Sequence, residues 1–372
     1  MSAGGEEGAP GVLSAGSVVA VTGAAGFIGS AIVRALLERG VGVVALVEPH
    51  GSEENLDGLD VTVRSVDIRD RGAVREAVEG TAAVFHTAAL FQFWARDKDV
   101  FYDVNVGGTR NVIAAAVAAG CRRVVYTSTV ATVGLHPGAG RPANELVHAR
   151  IDHLYGSYKQ SKYVAEHEVL RAAAEGAPIS LVHPTFPLGP RDIRPTPTGK
   201  VLLDFLNGRM PGYVDTAMNV AHVEDLALGH LLVMERGAQG RSYIIGGENL
   251  SMRELLSAAA ECTGLAPPLR RWPRALGLGA GLVSEAVEGR LLRRPPRVPL
   301  EAARMSLTHM IFDDSRAREE LGYTSRPATE AIADSSRWFV EHGYVRPERV
   351  RQITWAADGP GDGPRARAPR VT

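Results

Sequence analysis

Cysteine is scarce in this chain of 372 residues: Cys121 and Cys262 alone cannot build a disulfide framework or a closed zinc site, so a reducing cytoplasm is the expected location and no metal is expected. No sign of charge is in excess either. Lys and Arg number 41 against 42 Asp and Glu, and a net charge of -1 gives no general electrostatic reason to expect nucleic acid as a partner. No apolar run approaches the roughly 18 residues of a spanning helix, the longest candidate, Ala275 to Val283, being closed by Ser284 and Glu285. Residues 1–16 carry two glutamates and no Lys or Arg, which is unlike a secretory signal and reads as a disordered leader. What the chain does contain is 45% hydrophobic residues, enough to bury the core of one large domain or two ordinary ones.

From Ser17 to His183 short β-branched runs alternate with helical stretches. The runs are Val18–Val21, Val41–Val47, Val61–Val66, Ala82–His86, Arg123–Thr127 and Ile179–Val182; Phe27–Arg39, Arg71–Glu79, Asp99–Ala119 and Ser157–Ala174 are long enough for crossover helices. This alternation predicts an α/β fold, a doubly wound parallel sheet with helices on both faces. After Pro184 the texture changes to Pro- and Gly-rich loops and scattered helices. The expected organisation is a nucleotide-binding domain over 17–183, a smaller substrate-binding lobe over 184–345 with some exchange of strands and helices, and a disordered tail over 346–372.

The segment Val18-Val19-Ala20-Val21-Thr22-Gly23-Ala24-Ala25-Gly26-Phe27-Ile28-Gly29 sets a glycine turn directly between the first strand and the first helix. Gly23 can make the tight turn, Gly26 lets backbone approach a pyrophosphate, and Gly29 lets the helix pack on the strand, with Phe27 and Ile28 opening the helix. The helix N-terminus offers unpaired N–H groups to phosphate oxygens. This is the Rossmann-type arrangement, here with GxxGxxG spacing. Glu48 lies 19 residues beyond Gly29, at the end of the second strand, where a carboxylate can accept from ribose hydroxyls. A 2'-phosphate there would meet a like charge, worth about 4 kcal/mol at ~4 Å and an effective dielectric of 20 before salt screening. NAD is therefore the expected cofactor, with NADP still accessible through His50 and Arg64. Asp67 and Ile68 are candidates for the adenine edge, although Asp67 could equally cap the segment beginning at Arg69.

Tyr158 and Lys162 are four residues apart, on one face of the helix after the fifth strand. A phenol is a weak base at neutral pH, and a fixed cation nearby lowers its pKa, so Tyr158 can exchange a proton with a substrate hydroxyl or carbonyl. Tyr155 and Lys159 repeat the spacing, but Gly156 would sit inside that helical turn and weaken it.

The glycine turn, His86-Thr87-Ala88-Ala89, Thr127-Ser128-Thr129, the Tyr158/Lys162 pair and Val223-Glu224-Asp225 together resemble the extended short-chain dehydrogenase/reductase family over Ser17 to Tyr344. Phe93 to Asp97, Gly189 to Gly199 and Phe205 to Pro211 resemble its hopanoid-associated sugar epimerase branch, close to dihydroflavonol reductases. The resemblance implies a third catalytic hydroxyl on Thr129, counted back from Gly134, with Ser128 as the alternative beside the substrate. It implies that Lys162 also holds the nicotinamide ribose, that Ala88 and Ala89 pack along the cofactor, that Pro184 and Thr185 face the nicotinamide, and that Asn105 holds a water or backbone. It also implies a homodimer built on the helices over Asp99–Ala119 and Ser157–Ala174. Two departures matter. Dehydratase relatives follow the catalytic hydroxyl with an Asp-Glu pair, where this chain has Val130 and Ala131; related reductases often carry Arg where this chain has Glu48.

For the substrate, Phe91, Phe93 and Trp94 suggest an aromatic wall suited to a ring system or lipid-like molecule. Arg191, with Arg194, Lys200 and Arg209, could instead clamp a nucleotide diphosphate. Trp272 to Arg294 mixes apolar residues with arginines and could rest on an anionic membrane surface. The resulting expectation is an NAD(P)-dependent oxidoreductase with reversible hydride transfer at a secondary alcohol or ketone. Its outcomes are a sugar or sugar-nucleotide epimerase and a ketone reductase or dehydrogenase; a non-catalytic nucleotide sensor is the alternative from another class.

Overall fold

The computed structural model describes residues 12–92, 94–136, 140–292, 294–297, 300–305 and 307–356. The first half winds β1 (Val18–Thr22), α1 (Phe27–Glu38), β2 (Gly42–Val47), β3 (Thr62–Ser65), α2 (Arg71–Val78), β4 (Ala83–His86), α3 (Asp99–Tyr102), α4 (Thr109–Ala118), β5 (Arg123–Thr127), α5 (Ser157–Ala174) and β6 (Ile179–Pro184). Thereafter come β7 (Phe186–Leu188), α6 (Pro197–Leu206), β8 (Tyr213–Val214), β9 (Ala217–His222), α7 (Val223–Arg236), β10 (Ser242–Ile245), β11 (Glu248–Ser251) and α8 (Met252–Thr263). The remainder is β12 (Arg271–Trp272), α9 (Arg274–Ser284), α10 (Leu300–Met305), β13 (His309–Met310), α11 (Ser315–Leu321), α12 (Ala328–Glu341) and α13 (Pro347–Val350).

Seven strands form one parallel sheet in the order β10-β6-β5-β4-β1-β2-β3, a Rossmann-type doubly wound arrangement. Alternate side chains of each strand serve opposite faces. Val19 and Val21 of β1, with Val43, Ala45 and Val47 of β2, join Leu226, Leu231 and Tyr323 beneath α1, α7 and α11. Ala20, Val44 and Leu46 point the other way, toward Ala165 and Val169 of α5. A third core, holding Leu202, Leu206, Leu255 and Phe339, belongs to the smaller lobe. There β9 pairs with β7, β11 and β13.

Two expected boundaries shift, and chain beyond residue 183 also contributes to the main sheet. The sheet's outer strand β10 and its covering helix α7 come from beyond residue 183, because β6 would otherwise present an open edge. The end of the expected leader is folded: Leu13 is buried in the first core and Gly16 N–H donates to Gly40 O at 3.3 Å. The expected tail begins too early, since Arg349 Nε donates to Leu206 O at 2.9 Å and Thr354 N–H to Thr263 O at 2.9 Å. Both corrections arise from docking onto distant elements, which local composition does not encode. The residues before 12 and after 356 lie outside those described.

Candidate active site

The carboxyl ends of β1, β4, β5 and β6 converge, and the turn after β1 is shaped for close approach. Gly23 has φ +65°, where glycine is favoured, and a Cβ on Gly29 would overlap the Gly23 carbonyl. Gly26 N-caps α1 with no side-chain cap bond and no acidic residue in the first turn, so no side chain competes for that helix end. Phe27 and Ile28 pack against the first core. Thr185 Oγ1, just past β6 and Pro184, is buried with no protein partner. This cradle, the uncapped helix end and the orphaned hydroxyl suit a dinucleotide pyrophosphate and nicotinamide.

His86 holds that edge together. Its Nδ1 lies 2.7 Å from Thr22 Oγ1 and its Nε2 2.9 Å from Thr109 Oγ1, while Thr22 Oγ1 accepts from the Ala88 N–H at 3.1 Å. Burial, then the Lys162 charge, push His86 down to about 3, so it is neutral and structural. Ala88 and Ala89 are thereby fixed beyond β4. A π-helical turn, Asp103–Gly108, aims Asn105 inward, where Oδ1 accepts from Leu90 N–H at 2.8 Å and Nδ2 donates to Ser161 Oγ at 2.9 Å. Asn105 therefore grips the backbone.

At the adenosine end Glu48 is exposed, and its Oε1 accepts from Arg194 Nη1 at 3.2 Å. Asp67 does not cap a helix: it binds Arg69 through backbone and side chain, and Asp70 caps α2 instead by accepting from Gly72 and Ala73. Ile68 is buried, its carbonyl accepting from Asn111 Nδ2 at 3.0 Å.

α5 starts immediately after Gly156, whose φ of +94° lets the chain turn sharply into the helix. Tyr158 is therefore in the first turn and Lys162 one turn later, both buried, whereas Tyr155 precedes the helix and is exposed. Burial pushes the Tyr158 phenol well up, a hydrogen bond with Thr129 pulls it back, and the nearby Glu301 carboxyl adds to the rise. The Phe91 ring packs 4.8 Å from the Tyr158 ring. Lys162 is anchored on the end of β5. Its Nζ donates to Thr127 O at 2.7 Å and lies 4.4 Å from the Tyr126 ring centre, and burial brings it down to about 7 against the pull of Glu166.

Thr129 and Ser128 separate by their partners. Thr129 meets Tyr158, while Ser128 Oγ donates to Glu166 Oε2, which also accepts from Thr132 Oγ1 at 2.6 Å and lies 3.0 Å from His183 Nε2. Despite the opposing cost of burial, His183 and these hydroxyls hold Glu166 at about 2. Glu166 was missed by the sequence reading, though Tyr158, Lys162 and Glu166 recur every four residues along α5.

Beside the first turn of α5 is a cavity of about 280 Å³, walled by Trp94, Phe101, Tyr155 and Leu300, by the carboxyls of Glu285 and Glu301, and by Lys98, Gln160 and Arg304. Phe93 lies outside the described residues. Glu301 was also missed. It reaches from α10 so close to Gly156 that a Cβ there would overlap its carboxyl; Oε1 is buried without a partner, and burial pushes the group up to about 8 against the pull of Lys159. No sequence signal marks it. Arg191 is not at this cavity: it has φ +73°, its carbonyl accepts from Asn55, and it lines a separate hollow with Arg34 and Glu224. With Arg194 on Glu48 and Arg209 on Asp204, the arginines expected to converge on a diphosphate are dispersed among other partners because their loop runs along the adenosine side.

Residues 19–246 match the NAD dependent epimerase/dehydratase family. A putative dihydroflavonol 4-reductase of Synechocystis is 42% identical over 332 residues, 88% of this chain and 96% of that protein. Sterol demethylase protein B of Methylococcus capsulatus is 36% identical, covering 87% of this chain and 99% of its own. The crystal structure of a nucleoside-diphosphate-sugar epimerase from Pseudomonas aeruginosa superposes with a TM-score of 0.74 at 27% identity, over 89% of this chain and all of that one.

Proposed function

We propose that this chain, which belongs to the NAD dependent epimerase/dehydratase family, works as a ketone reductase or dehydrogenase on a cyclic or lipid-like substrate. That it is an NAD(P)-dependent oxidoreductase of this family follows from the match itself and from relatives such as the dihydroflavonol 4-reductase. The finer reading is carried by one observation: the cavity beside the first turn of α5, the turn that also carries Tyr158, sets the rings of Trp94, Phe101 and Tyr155 and the side chain of Leu300 among polar groups that include Arg304 and the Glu301 carboxyl, pushed up by burial, while Arg191, Arg194 and Arg209 lie with other partners. Sterol demethylase protein B, by its name, concerns a polycyclic lipid, which agrees with such walls.

The dinucleotide would be held by Gly23, Gly26 and Gly29, the α1 end, Ala88, Ala89, Ile68, Pro184 and Thr185, and when bound it supplies or accepts the hydride. Glu48 would accept from the ribose hydroxyls, favouring NAD, and Lys162 would reach the nicotinamide ribose. Thr129 donates to and orients the substrate oxygen, and Tyr158 O–H gives that oxygen its proton in the reducing direction and recovers it in reverse. Glu301 can donate to a second substrate oxygen. A homodimer through α4 and α5 is part of this reading.

The likeness to a nucleoside-diphosphate-sugar epimerase supports the second outcome, in which the cofactor is retained and the hydride returns to the opposite face. The discriminating experiment denatures freshly purified protein, quantifies released nucleotide, and assays NADH and NADPH oxidation with cyclic ketones alongside UDP-glucose epimerisation. Exchangeable cofactor and ketone-dependent NADH oxidation are expected. Near-stoichiometric retained NAD with sugar-nucleotide turnover and no ketone reduction would overturn the reductase reading, and preference for NADPH would overturn the role of Glu48.

A further inference from the structure

α9 and the π-helical turn that continues it, Glu285–Leu291, invert the usual pattern of a surface helix. Leu276, Val283, Val287 and Leu291 are 60, 64, 44 and 76% exposed, and with the exposed Ala280 they recur every three or four residues along one outward stripe. Inside lie a glycine and a carboxylate. A Cβ on Gly281 would press on Ala303, and Glu288 is buried, accepting from Ser284 Oγ at 2.7 Å, Arg294 Nη2 at 3.0 Å and the Arg297 N–H at 2.7 Å. Upstream, Leu269 is 89% exposed and Trp272 is exposed too. Scattered apolar residues on a surface need no explanation, but a continuous apolar stripe does.

Charge selects what covers it. Residues 269–297 contain seven arginines and two glutamates in a chain whose net charge is -1; Glu288 pairs with Arg294 and Arg297 and Asp215 with Arg271, which still leaves the segment an excess of positive charge. Both glutamates are turned inward, Glu288 as described and Glu285 accepting from the Leu300 N–H at 3.2 Å. A second copy docked by this stripe around a twofold axis would set arginines against arginines. An acyl layer bordered by anionic headgroups matches both the stripe and the segment's excess of arginine.

We propose that this segment docks on the surface of an anionic lipid bilayer, with Leu276, Val283, Val287 and Leu291 in the acyl boundary and arginines among the headgroups. It lies on the membrane without crossing it: α9 has 11 residues, and no helix among those described is long and apolar enough to span. On its inner side the segment reaches the cavity beside α5, where Glu285 and Leu300 form part of the wall. This goes beyond the proposed reaction and is read without turnover.

The test is co-sedimentation of the full chain with phosphatidylcholine vesicles, with and without phosphatidylglycerol. Binding is expected on the anionic vesicles and should weaken as salt shortens the screening length. Combined Leu276→Ser, Val283→Ser and Val287→Ser should lower partitioning about tenfold or more, with the thermal melt and nucleotide binding unchanged. Should that triple variant misfold, Val283→Ser alone should lower partitioning less but measurably. Arg270→Gln with Arg271→Gln should remove the preference for anionic lipid. Absence of vesicle binding by the folded wild type, or binding indifferent to these substitutions, would overturn the proposal. So would a wild-type dimer that the serine variant converts to monomer, which would assign the stripe to self-association.

Discussion

The carboxyl edge of the main sheet and the α9 surface use the same residue types in opposite ways. At the sheet edge, polar groups are buried and almost fully engaged: Glu166 has Ser128, Thr132 and His183, Lys162 has Thr127, and Asn105 has Leu90 and Ser161. On α9, leucine and valine face outward and a glutamate faces in. A buried charge lacking partners is costly, so the first region tolerates few changes. An exposed apolar stripe contributes little to folding and is free to serve contact with something else.

The largest expected effect breaks the sheet edge chemically without breaking it structurally. Tyr158→Phe removes the proton donor while keeping the ring against Phe91, and turnover should fall by about 10²–10⁴ in a cofactor-oxidation assay while nucleotide affinity is retained. Unchanged turnover would remove Tyr158 from the proposed chemistry.

Glu166→Gln should act through charge. The native carboxyl sits at about 2 against an ordinary 4.5, so its contribution is fully present above pH 4.5 and is lost as pH falls toward 2. Denaturant melts of wild type and variant should differ by on the order of 3 kcal/mol at pH 7 and converge near pH 2. Because Glu166 also raises the Lys162 ammonium, the alkaline limb of kcat should move to lower pH in the variant, a shift that a purely structural role would not produce. The smallest effect belongs to α9: Leu276→Ser should change the unfolding free energy by no more than about 0.5 kcal/mol in chemical denaturation. A larger loss would mean that the stripe is part of the core.

Much of this was legible because periodicity reports burial. Five of the six runs from Val18 to Val182 are largely buried, the third being the exposed edge strand β3, and the structure places strands on all six within a residue or two. The glycine turn was legible for a steric reason, since Gly23 and Gly29 occupy positions where a Cβ would meet backbone. Tyr158 and Lys162 could be paired by helical spacing, but the behaviour of their charges could not. Burial, set by tertiary contacts, brings Lys162 down to about 7 against the pull of Glu166, and its Nζ is held by the Thr127 carbonyl. Arg191 shows the same limit: a loop's composition names its cations, and only the path of the loop decides which hollow they line.

The sequence by itself determined the doubly wound class, the phosphate-binding turn and the stripe that carries Tyr158, because each depends on contacts within a few residues or on one face of an element. Tertiary structure alone brought Glu301 from α10 against Gly156, set Thr129 rather than Ser128 beside Tyr158, turned Arg194 to Glu48, and left the apolar face of α9 outward. Those outcomes depend on desolvation and on partners from different elements of the chain, or on which side of a helix its neighbours cover, and no local pattern carries that information.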